Sequence, residues 1–218
     1  MSLCPFASWK RKSPACSKTV ARGILKRRQL KKARLPPGPC ENERVLPNIV
    51  LIGFMGCGKS SVGRRLAALT GHRFLDTDDL IVQSEGCSIP EIFAAGGEEA
   101  FRNVEEKILA DLVGVAGVVL ATGGGAILRE TNRAAMKKIG AVAWLDADPD
   151  ALFERASRSN RRPLLQTESP RKTFDDLLAS RREIYEAVAD FRLDSTGLSH
   201  DQVAQSILDQ TMRLRARE

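Results

Sequence analysis

Residues 53–61, GFMGCGKSS, constrain the fold of this chain more than any other segment. They match G-x-x-x-x-G-K-[ST], in which glycines let the backbone curl so that several N–H groups point at phosphate oxygens. The apolar run NIVLIG precedes this loop, as expected of a strand buried on both faces. The segment KSSVGRRLAALTG follows, with Val62, Leu66 and Leu69 at helical spacing. A strand, this loop and a helix in that order predict a nucleotide-phosphate site.

The residue types within the loop predict a role for each part of it. Lys59 should reach the β- and γ-phosphates and assist catalysis, and the Ser60 hydroxyl should bind the single Mg²⁺ ion that accompanies ATP as co-substrate. The helix N-terminus adds a favourable dipole for negative charge. We therefore predict that six consecutive residues contact the nucleotide: Gly56, Cys57, Gly58, Lys59, Ser60 and Ser61.

Strand and helix patterns alternate through the rest of the chain. The segments HRFLD, AGVVLATGGG, GAVAWLDAD and FRLDST predict four further strands. The helix after the last of them carries Val203, Ile207 and Leu208 on one face. Strands separated by helices indicate an α/β fold with right-handed crossovers and a parallel sheet, in which ligands bind at the carboxyl ends of the strands.

The net charge of +7 belongs to the N-terminal segment, because residues 1–44 hold 12 Lys and Arg but two acids. We predict a basic extension without stable structure over residues 1–46, closed by the stiff linker LPPGPC, and a folded domain over residues 47–218. Three interpretations of the extension stay open. It is a solvated arm or lies upstream of the true start, it is an organelle transit peptide, or it is a nucleic-acid arm. The last is disfavoured because no aromatic residues are interleaved.

Cysteine spacing and hydropathy indicate a cytoplasmic protein with no membrane span. The five cysteines show neither C-x-x-C spacing nor clustered histidine partners, which disfavours a zinc site or a disulfide framework. The longest uncharged run, residues 112–128, is too short and too rich in glycine to span a bilayer. Basic residues interrupt the first 34 positions before the apolar core of a secretory signal can form.

Two carboxylates follow the second predicted strand, in LDTDD, and should lie beside the phosphate loop. One of Asp76 and Asp78 can hold Mg²⁺, because the strand before the glycine turn ends in VVLAT without the usual acid. The other can orient and deprotonate an acceptor hydroxyl. Helix capping is the competing role, since Thr77, Asp78 or Asp79 could each cap the segment DLIVQSEG.

Arg181 lies in an apolar helical stripe, where a charged side chain needs a partner. In FDDLLASRREIYEAV it falls at the centre of the stripe, whereas Arg182 lies well off it. No acid lies in register on that face of the helix, so the partner is either the carboxylate of a ligand or a distant acid in a salt bridge.

A second helix, FRNVEEKILADL, places a charged pair at its apolar stripe. Glu105 interrupts the stripe and Arg102 lies three residues earlier, so the two side chains can meet. Glu105 either holds Arg102 in place to bind something else or forms a purely structural pair with it. The segment TGGGAI removes side chains at Gly123, Gly124 and Gly125, which suits close approach by a ligand or a plain mobile turn.

The polar and basic segment over residues 154–172 predicts a lid between two helices. Its arginines could close over phosphates and exclude water, or they could lie on a solvated loop. They are Arg155, Arg158, Arg161 and Arg162.

Taken in order, the phosphate loop, DTD, FR..E, GGG, RRPLL and SRREIY resemble the shikimate kinase family. The resemblance runs from about Asn48 to about Gln210. It implies a three-layer P-loop fold with a five-stranded parallel sheet, a closing lid and substrate-binding helices near residues 77–106. It also implies transfer of the γ-phosphate of ATP to the 3-hydroxyl of shikimate. We expect a monomer whose partners are ATP and shikimate.

The resemblance assigns roles to individual residues. Asp78 matches the acid that binds the shikimate hydroxyls and acts as base, and Asp76 matches the acid associated with Mg²⁺. Arg102 and Arg181 match the pair that clamps the substrate carboxylate, and residues 123–125 match the glycines that line the substrate ring.

On the nucleotide side, Arg155 matches the arginine that packs on adenine, and Arg162 matches the lid arginine that reaches the phosphates and assists catalysis. The loop before the last helix departs from the family pattern, because DSTGLSHDQ contains neither Arg nor Pro. This departure puts the adenine contacts from that loop in doubt.

Two other functions compete with this interpretation. Another small-metabolite kinase, such as a gluconate kinase, shares the phosphate loop and the scaffold, but the Arg102 and Arg181 pair with the triple glycine argues against it. A non-catalytic P-loop regulatory protein is disfavoured, because Lys59, Ser60 and both acids of DTD are intact.

Overall fold

The computed structural model describes residues 46–158 and 168–216 of the chain. Nearly all of the predicted basic extension and two of the predicted lid arginines, Arg161 and Arg162, lie outside the described residues. In the described ranges, no helix is both long and apolar enough to cross a membrane.

The apolar segments of the sequence correspond to five strands within the described ranges. They are β1 (Ile49–Ile52), β2 (Arg73–Asp76), β3 (Val118–Ala121), β4 (Ala141–Asp146) and β5 (Phe191–Asp194). The helices in the same ranges are α1 (Lys59–Thr70), α2 (Thr77–Glu85), α3 (Ile89–Leu112), α4 (Glu130–Ile139), α5 (Pro149–Ser157), α6 (Pro170–Val188) and α7 (His200–Arg215), and a short 3₁₀ turn covers Ala126–Leu128.

The strands form one parallel sheet in the order β2-β3-β1-β4-β5, which confirms the predicted α/β class. The connection from β1 to β2 runs in one direction along the sheet, and the next three connections run in the other. Right-handed crossovers therefore place α1 on one face and α3, α4 and α6 on the other. Helix α7 packs against α1, so the described part of the chain has three layers.

Helix α1 shows where the sequence pattern was misleading. Val62 and Leu66 are buried as predicted, but Leu69 is exposed, so its assignment to the core face was wrong. The helix instead buries Gly63 and Ala67. A Cβ atom at Gly63 would lie 2.4 Å from the Phe74 ring, which shows that β2 and α1 approach each other closely at this glycine.

The predicted lid over residues 154–172 was too long at both ends. Helix α5 continues to Ser157, and helix α6 already begins at Pro170. The polar residues at the end of α5 occupy its exposed side, where they do not interrupt the helix. In particular, Ser157 Oγ donates a hydrogen bond to the Phe153 carbonyl four residues earlier. A polar composition was therefore mistaken for a loop.

The stripes of α3 and α6 carry their charged residues into the protein interior. In α3 the buried side chains include Glu105, and in α6 they include Arg181 and Tyr185. Helix α3 is interrupted at Gly97, whose φ of 70° and ψ of −168° are not helical. Because β1, β2 and β3 end at the same edge of the sheet, the loops after them converge with these two helices at one cleft.

Candidate active site

The phosphate loop follows β1 and is shaped by glycines that no other residue could replace. Gly53 and Gly56 have φ values of 144° and 87°, a region that residues with a Cβ atom rarely adopt. A Cβ atom would lie 2.3 Å from the Leu145 carbonyl oxygen at Gly53, and 2.5 Å from that of Leu152 at Gly56. The loop can therefore pack directly against the end of β4 and against α5.

Lys59, the first residue of α1, turns back over this loop. Its Nζ donates hydrogen bonds to the carbonyl oxygens of Gly53 at 2.8 Å and Phe54 at 3.0 Å. Cys57 is buried beneath it, with Sγ at 3.5 Å from the same Nζ. The ammonium group is thus held at the loop where nucleotide phosphates would bind. Ser61 lies exposed in the first turn of the helix.

Asp76 joins the phosphate loop to the acidic segment after β2. Its Oδ2 accepts a hydrogen bond from Ser60 Oγ at 2.7 Å, and its Oδ1 accepts one from the Asp78 N–H at 3.1 Å. Asp76 is therefore the N-cap of α2, and the expectation that Thr77, Asp78 or Asp79 caps this helix was wrong. The helix starts earlier than predicted, since it begins immediately where β2 ends. Two hard oxygen donors beside a phosphate cradle suit Mg²⁺.

Asp78 lies in the first turn of α2 and opens to solvent at the mouth of the cleft. Protein nevertheless surrounds most of its carboxyl group, and this partial loss of hydration raises its pKa above the ordinary value. The nearby charge of Asp76 raises the pKa further, whereas Lys59 lowers it. Asp78 is therefore solvent-accessible and binds a proton more tightly than an ordinary aspartate does.

The triple glycine lies between the acids of α2 and α3. The Gly123 N–H donates to Thr77 Oγ1 at 2.9 Å, so the buried Thr77 ties this loop to the acidic segment. A Cβ atom at Gly123 would lie 3.0 Å from Glu105 Oε1 and 3.3 Å from Asp78 Oδ1. The prediction from sequence missed this role of Thr77, because it treated the residue as a candidate helix cap.

Arg102 and Glu105 form the pair that the helical spacing predicted. Arg102 Nη1 donates to Glu105 Oε2 at 2.8 Å. Glu105 is completely buried, and among the described residues its Oε1 has no hydrogen-bond partner. Burial raises the pKa of this carboxyl group, and the positive charge of Arg102 lowers it. This ion pair holds Arg102 close to Gly125. A Cβ atom added at Gly125 would lie 2.3 Å from Arg102 Nη2.

Replacing Gly125 with Ala should displace the Arg102 guanidinium group and raise the KM for a carboxylate-bearing acceptor about tenfold or more. The control is Gly125→Ala in a chain that also carries Arg102→Ala, because the added methyl group then has no guanidinium group to displace. Steady-state kinetics measure the effect of Gly125→Ala in each background. An equal change in KM in the two backgrounds would contradict a specific steric effect on Arg102.

Arg181 projects from α6 into the same cleft and is 7% exposed, as its place in the apolar stripe predicted. Its Nη1 donates to the Gly124 carbonyl oxygen at 3.3 Å, and its guanidinium carbon lies 5.5 Å from the centre of the Phe54 ring. Within residues 46–158 and 168–216, no carboxylate lies within 4 Å of this guanidinium group. The alternative of a salt bridge to a distant acid is therefore not realised among the described residues.

Tyr185, one turn further along α6, was predicted only as part of the apolar stripe. Its hydroxyl donates to the Gly124 carbonyl oxygen at 2.6 Å. Burial raises the pKa of this phenol further above neutral pH, so the group remains a donor. Its polar atom within a buried stripe was the signal that could have identified it. Tyr185 and Arg181 together fix the orientation of the glycine loop.

The nucleotide side of the cleft is described in part. Arg155 lies exposed on α5, and Arg158 forms an exposed ion pair with Glu154. Arg162, predicted to reach the phosphates, lies outside the described residues. His200 begins α7 beside the phosphate loop, and a Cβ atom at Gly58 would lie 3.7 Å from its Nε2. Sequence reasoning missed His200, because it judged that loop by its lack of Arg and Pro.

A parallel sheet, a phosphate loop at its carboxyl edge and a facing cleft with a carboxylate and two arginines define a P-loop phosphotransferase for small acceptors. A family model described as shikimate kinase matches residues 55–212. The chain therefore belongs to the shikimate kinase family. A shikimate kinase of Thermodesulfovibrio yellowstonii is 42% identical over 169 residues, which are 78% of this chain and 97% of the relative.

Solved structures agree with this assignment. Shikimate kinase from Acinetobacter baumannii, described as in complex with shikimate, superposes with a TM-score of 0.74 at 41% identity and covers 77% of this chain and 94% of its own. A gluconokinase from Sinorhizobium meliloti reaches a TM-score of 0.52 at 20% identity, with 79% of this chain and 95% of its own covered. The second likeness shows a shared fold alone, so the gluconate kinase alternative is not favoured.

Proposed function

We propose that this chain transfers the γ-phosphoryl group of ATP to the 3-hydroxyl of shikimate, giving shikimate 3-phosphate and ADP for chorismate and aromatic amino-acid biosynthesis. The observation that carries this proposal is Arg181, a buried guanidinium with no carboxylate within 4 Å among the described residues. A buried charge without a partner is unfavourable unless a ligand supplies one. A carboxylate between Arg181 and Arg102 supplies it.

In this proposal the rest of the acceptor lies over the glycine loop, against Asp78. Gly123 lies next to both Asp78 and Glu105, and Gly125 lies against Arg102, so a ring over residues 123–125 spans from the arginines to the base. Asp78 accepts the proton of the 3-hydroxyl as the new oxygen–phosphorus bond forms. The bond from the γ-phosphorus to ADP breaks, and ADP leaves with the electron pair.

The phosphate loop stabilises the transferred group by charge and position. Lys59 exchanges its contacts with the Gly53 and Phe54 carbonyl oxygens for phosphate oxygens when ATP binds. Ser60 and Asp76 are the residues that would hold one Mg²⁺ ion, because their oxygens already meet at 2.7 Å beside the cradle. When bound, this ion supplies positive charge that neutralises the phosphate oxygens. We propose phosphate contact for Arg162 and adenine contact for Arg155.

The proposal includes a division of the chain and a setting. We propose that residues 47–218 form the catalytic domain, that residues 1–46 are dispensable for chemistry, and that the enzyme acts as a monomer in the cytoplasm. The described strands and helices begin at Ile49 and supply every element of the cleft named above, which supports the division.

The direct test is ADP release with Mg-ATP in the presence and absence of shikimate, with gluconate as the comparison acceptor. We expect shikimate-dependent release by the full chain and by a chain lacking residues 1–44, and none with gluconate. Nucleotide binding without shikimate turnover would overturn the proposed reaction. Loss of turnover in the shortened chain alone would overturn only the division into an extension and a domain.

Activity should fall on acidification at a higher pH than an ordinary aspartate would cause. Asp78 must be ionised to accept a proton, and its pKa is raised above the ordinary value of about 3.9. The kcat/KM for shikimate should therefore decline as the pH falls through this raised pKa. The affinity of the Asp78→Asn chain for shikimate, measured over the same pH range, gives the part of the pH dependence that comes from the substrate carboxyl group. An acid limb at or below the ordinary aspartate value would contradict the prediction.

A further inference from the structure

The guanidinium group of Arg102 is shared between two carboxylates on two of its edges. Nη1 donates to Glu105 Oε2 at 2.8 Å. On the other side, Nε and Nη2 both donate to Glu98 Oε1, at 3.2 Å and 3.0 Å. Nε and Nη2 form one of the two pairs of N–H groups with which a guanidinium group can bind a carboxylate ligand in a bidentate manner.

The two carboxylates differ in how firmly the protein holds them. Glu105 is completely buried within α3, whereas the side chain of Glu98 is 64% exposed. Water competes for the Glu98 end of this i, i+4 pair, because the Glu98 side chain is 64% exposed whereas that of Arg102 is 13% exposed. Glu105 is therefore a fixed partner of Arg102, and Glu98 is a replaceable one.

The backbone beside Glu98 is also unusual. Gly97, immediately before it, has a φ of 70° and a ψ of −168°, so Glu98 is the first residue after the interruption of α3. A Cβ atom at Gly97 would meet nothing within 4 Å other than its chain neighbours and the backbone of its own helix. Glu98 thus directly follows a joint between two helical segments.

The edge of Arg102 that carries Glu98 is the one at which a ligand can compete. Glu105 occupies Nη1 on another edge, and Gly125 packs against the guanidinium group. The remaining Nε–Nη2 edge carries Glu98, whose side chain is 64% exposed although that of Arg102 is 13% exposed. A carboxylate that enters from the cleft meets Arg102 where the Glu98 carboxylate already lies, and two carboxylates cannot both occupy the same pair of N–H groups.

We propose that Glu98 is an internal competitor for the substrate carboxylate: its own carboxylate occupies the Nε–Nη2 edge of Arg102 and must be displaced when shikimate binds. This inference rests on the proposed function. Glu98 neutralises and orients Arg102, and it lowers the affinity for the substrate by the strength of one weak ion pair. It is a positioning residue that sets affinity and takes no part in phosphoryl transfer.

The test is the dissociation constant for shikimate measured by calorimetry on the full chain and three variants. Glu98→Gln keeps the length of the side chain but removes its charge, and it should bind shikimate about two- to fivefold more tightly. Glu98→Asp keeps the charge but is too short to hold the same contact, and it should also bind more tightly. Glu99→Gln is the matched control, because Glu99 pairs with Arg129 instead, and it should bind as the parent chain does.

Each outcome decides one point. Unchanged or weaker binding by Glu98→Gln would overturn the inference, since Glu98 would then be inert or would help to hold Arg102 for the substrate. Tighter binding by Glu98→Gln with parental binding by Glu98→Asp would also overturn it, because the charge alone would explain the change. The kcat and the ATP dissociation constant should be unchanged in all three variants. Failure of the parent chain to bind shikimate at all would instead refute the proposed function.

Discussion

Replacing Asp78 with Asn should lower kcat about 10³-fold and leave the affinity for ATP within about twofold of the parent chain. Asn has the same shape but cannot accept the proton of the acceptor hydroxyl. The hydrogen bonds of Lys59 and Ser60 do not involve the Asp78 side chain, so the phosphate loop should remain intact. ADP release at saturating substrates measures the first effect, and titration with ATP measures the second.

Asp79→Asn is the matched control for this variant. Asp79 is the exposed neighbour of Asp78 in the first turn of α2, and no role in the site is assigned to it. Its kcat should stay within about twofold of the parent value, since a surface substitution rarely disturbs a distant contact. Substantial turnover by Asp78→Asn would remove Asp78 from the role of base and leave positioning and charge as the whole of catalysis.

The parts of the site that sequence predicted well are those governed by local periodicity. Arg181 and Glu105 could be placed inside apolar stripes, because helical spacing determines which side chains share a face. The strand before the phosphate loop was equally predictable, because a run of apolar residues that ends in glycine is typical of a buried strand. Both conclusions needed no knowledge of distant contacts.

Two omissions and one error concern contacts between segments far apart in the chain. The Gly123 N–H bond to Thr77 joins residues 46 positions apart, and the Tyr185 bond to Gly124 joins residues 61 apart. Leu69 was assigned to the core by spacing, but the close approach of β2 at Gly63 rotates the buried face of α1 toward Ala67. No periodic signal contains that information.

The competition at Arg102 illustrates a different limit. The spacing of Glu98, Arg102 and Glu105 shows that both acids can reach the arginine, since they lie four and three residues away on one helix. Glu105 is a fixed partner because it is buried, and Glu98 is a replaceable partner because it is exposed. Burial depends on how α3 packs against the glycine loop, so sequence alone could not distinguish the two acids.

Replacing Arg181 with Met should raise the KM for shikimate about 10²-fold without lowering the stability of the protein. Loss of one arginine leaves the substrate carboxylate in a buried site with half of its charged partners, which costs about 2–5 kcal/mol. The stability prediction follows from the same geometry. Met fills a similar volume within the apolar stripe and removes a buried charge that has no carboxylate partner among the described residues.

The two effects have opposite origins and are measured separately. Initial rates over a range of shikimate concentrations give the KM, and denaturant unfolding without ligand gives the free energy of unfolding. The free energy of unfolding should be unchanged or higher by about 1–2 kcal/mol, because the substitution removes a buried charge that serves binding and lowers stability. Arg182→Met, on the exposed side of the same helix and 3.7 Å from Asp146, is the control and should leave the KM unchanged. A destabilised Arg181→Met chain with a normal KM would show instead that the guanidinium group serves the fold, with Gly124 and the Phe54 ring as its true partners.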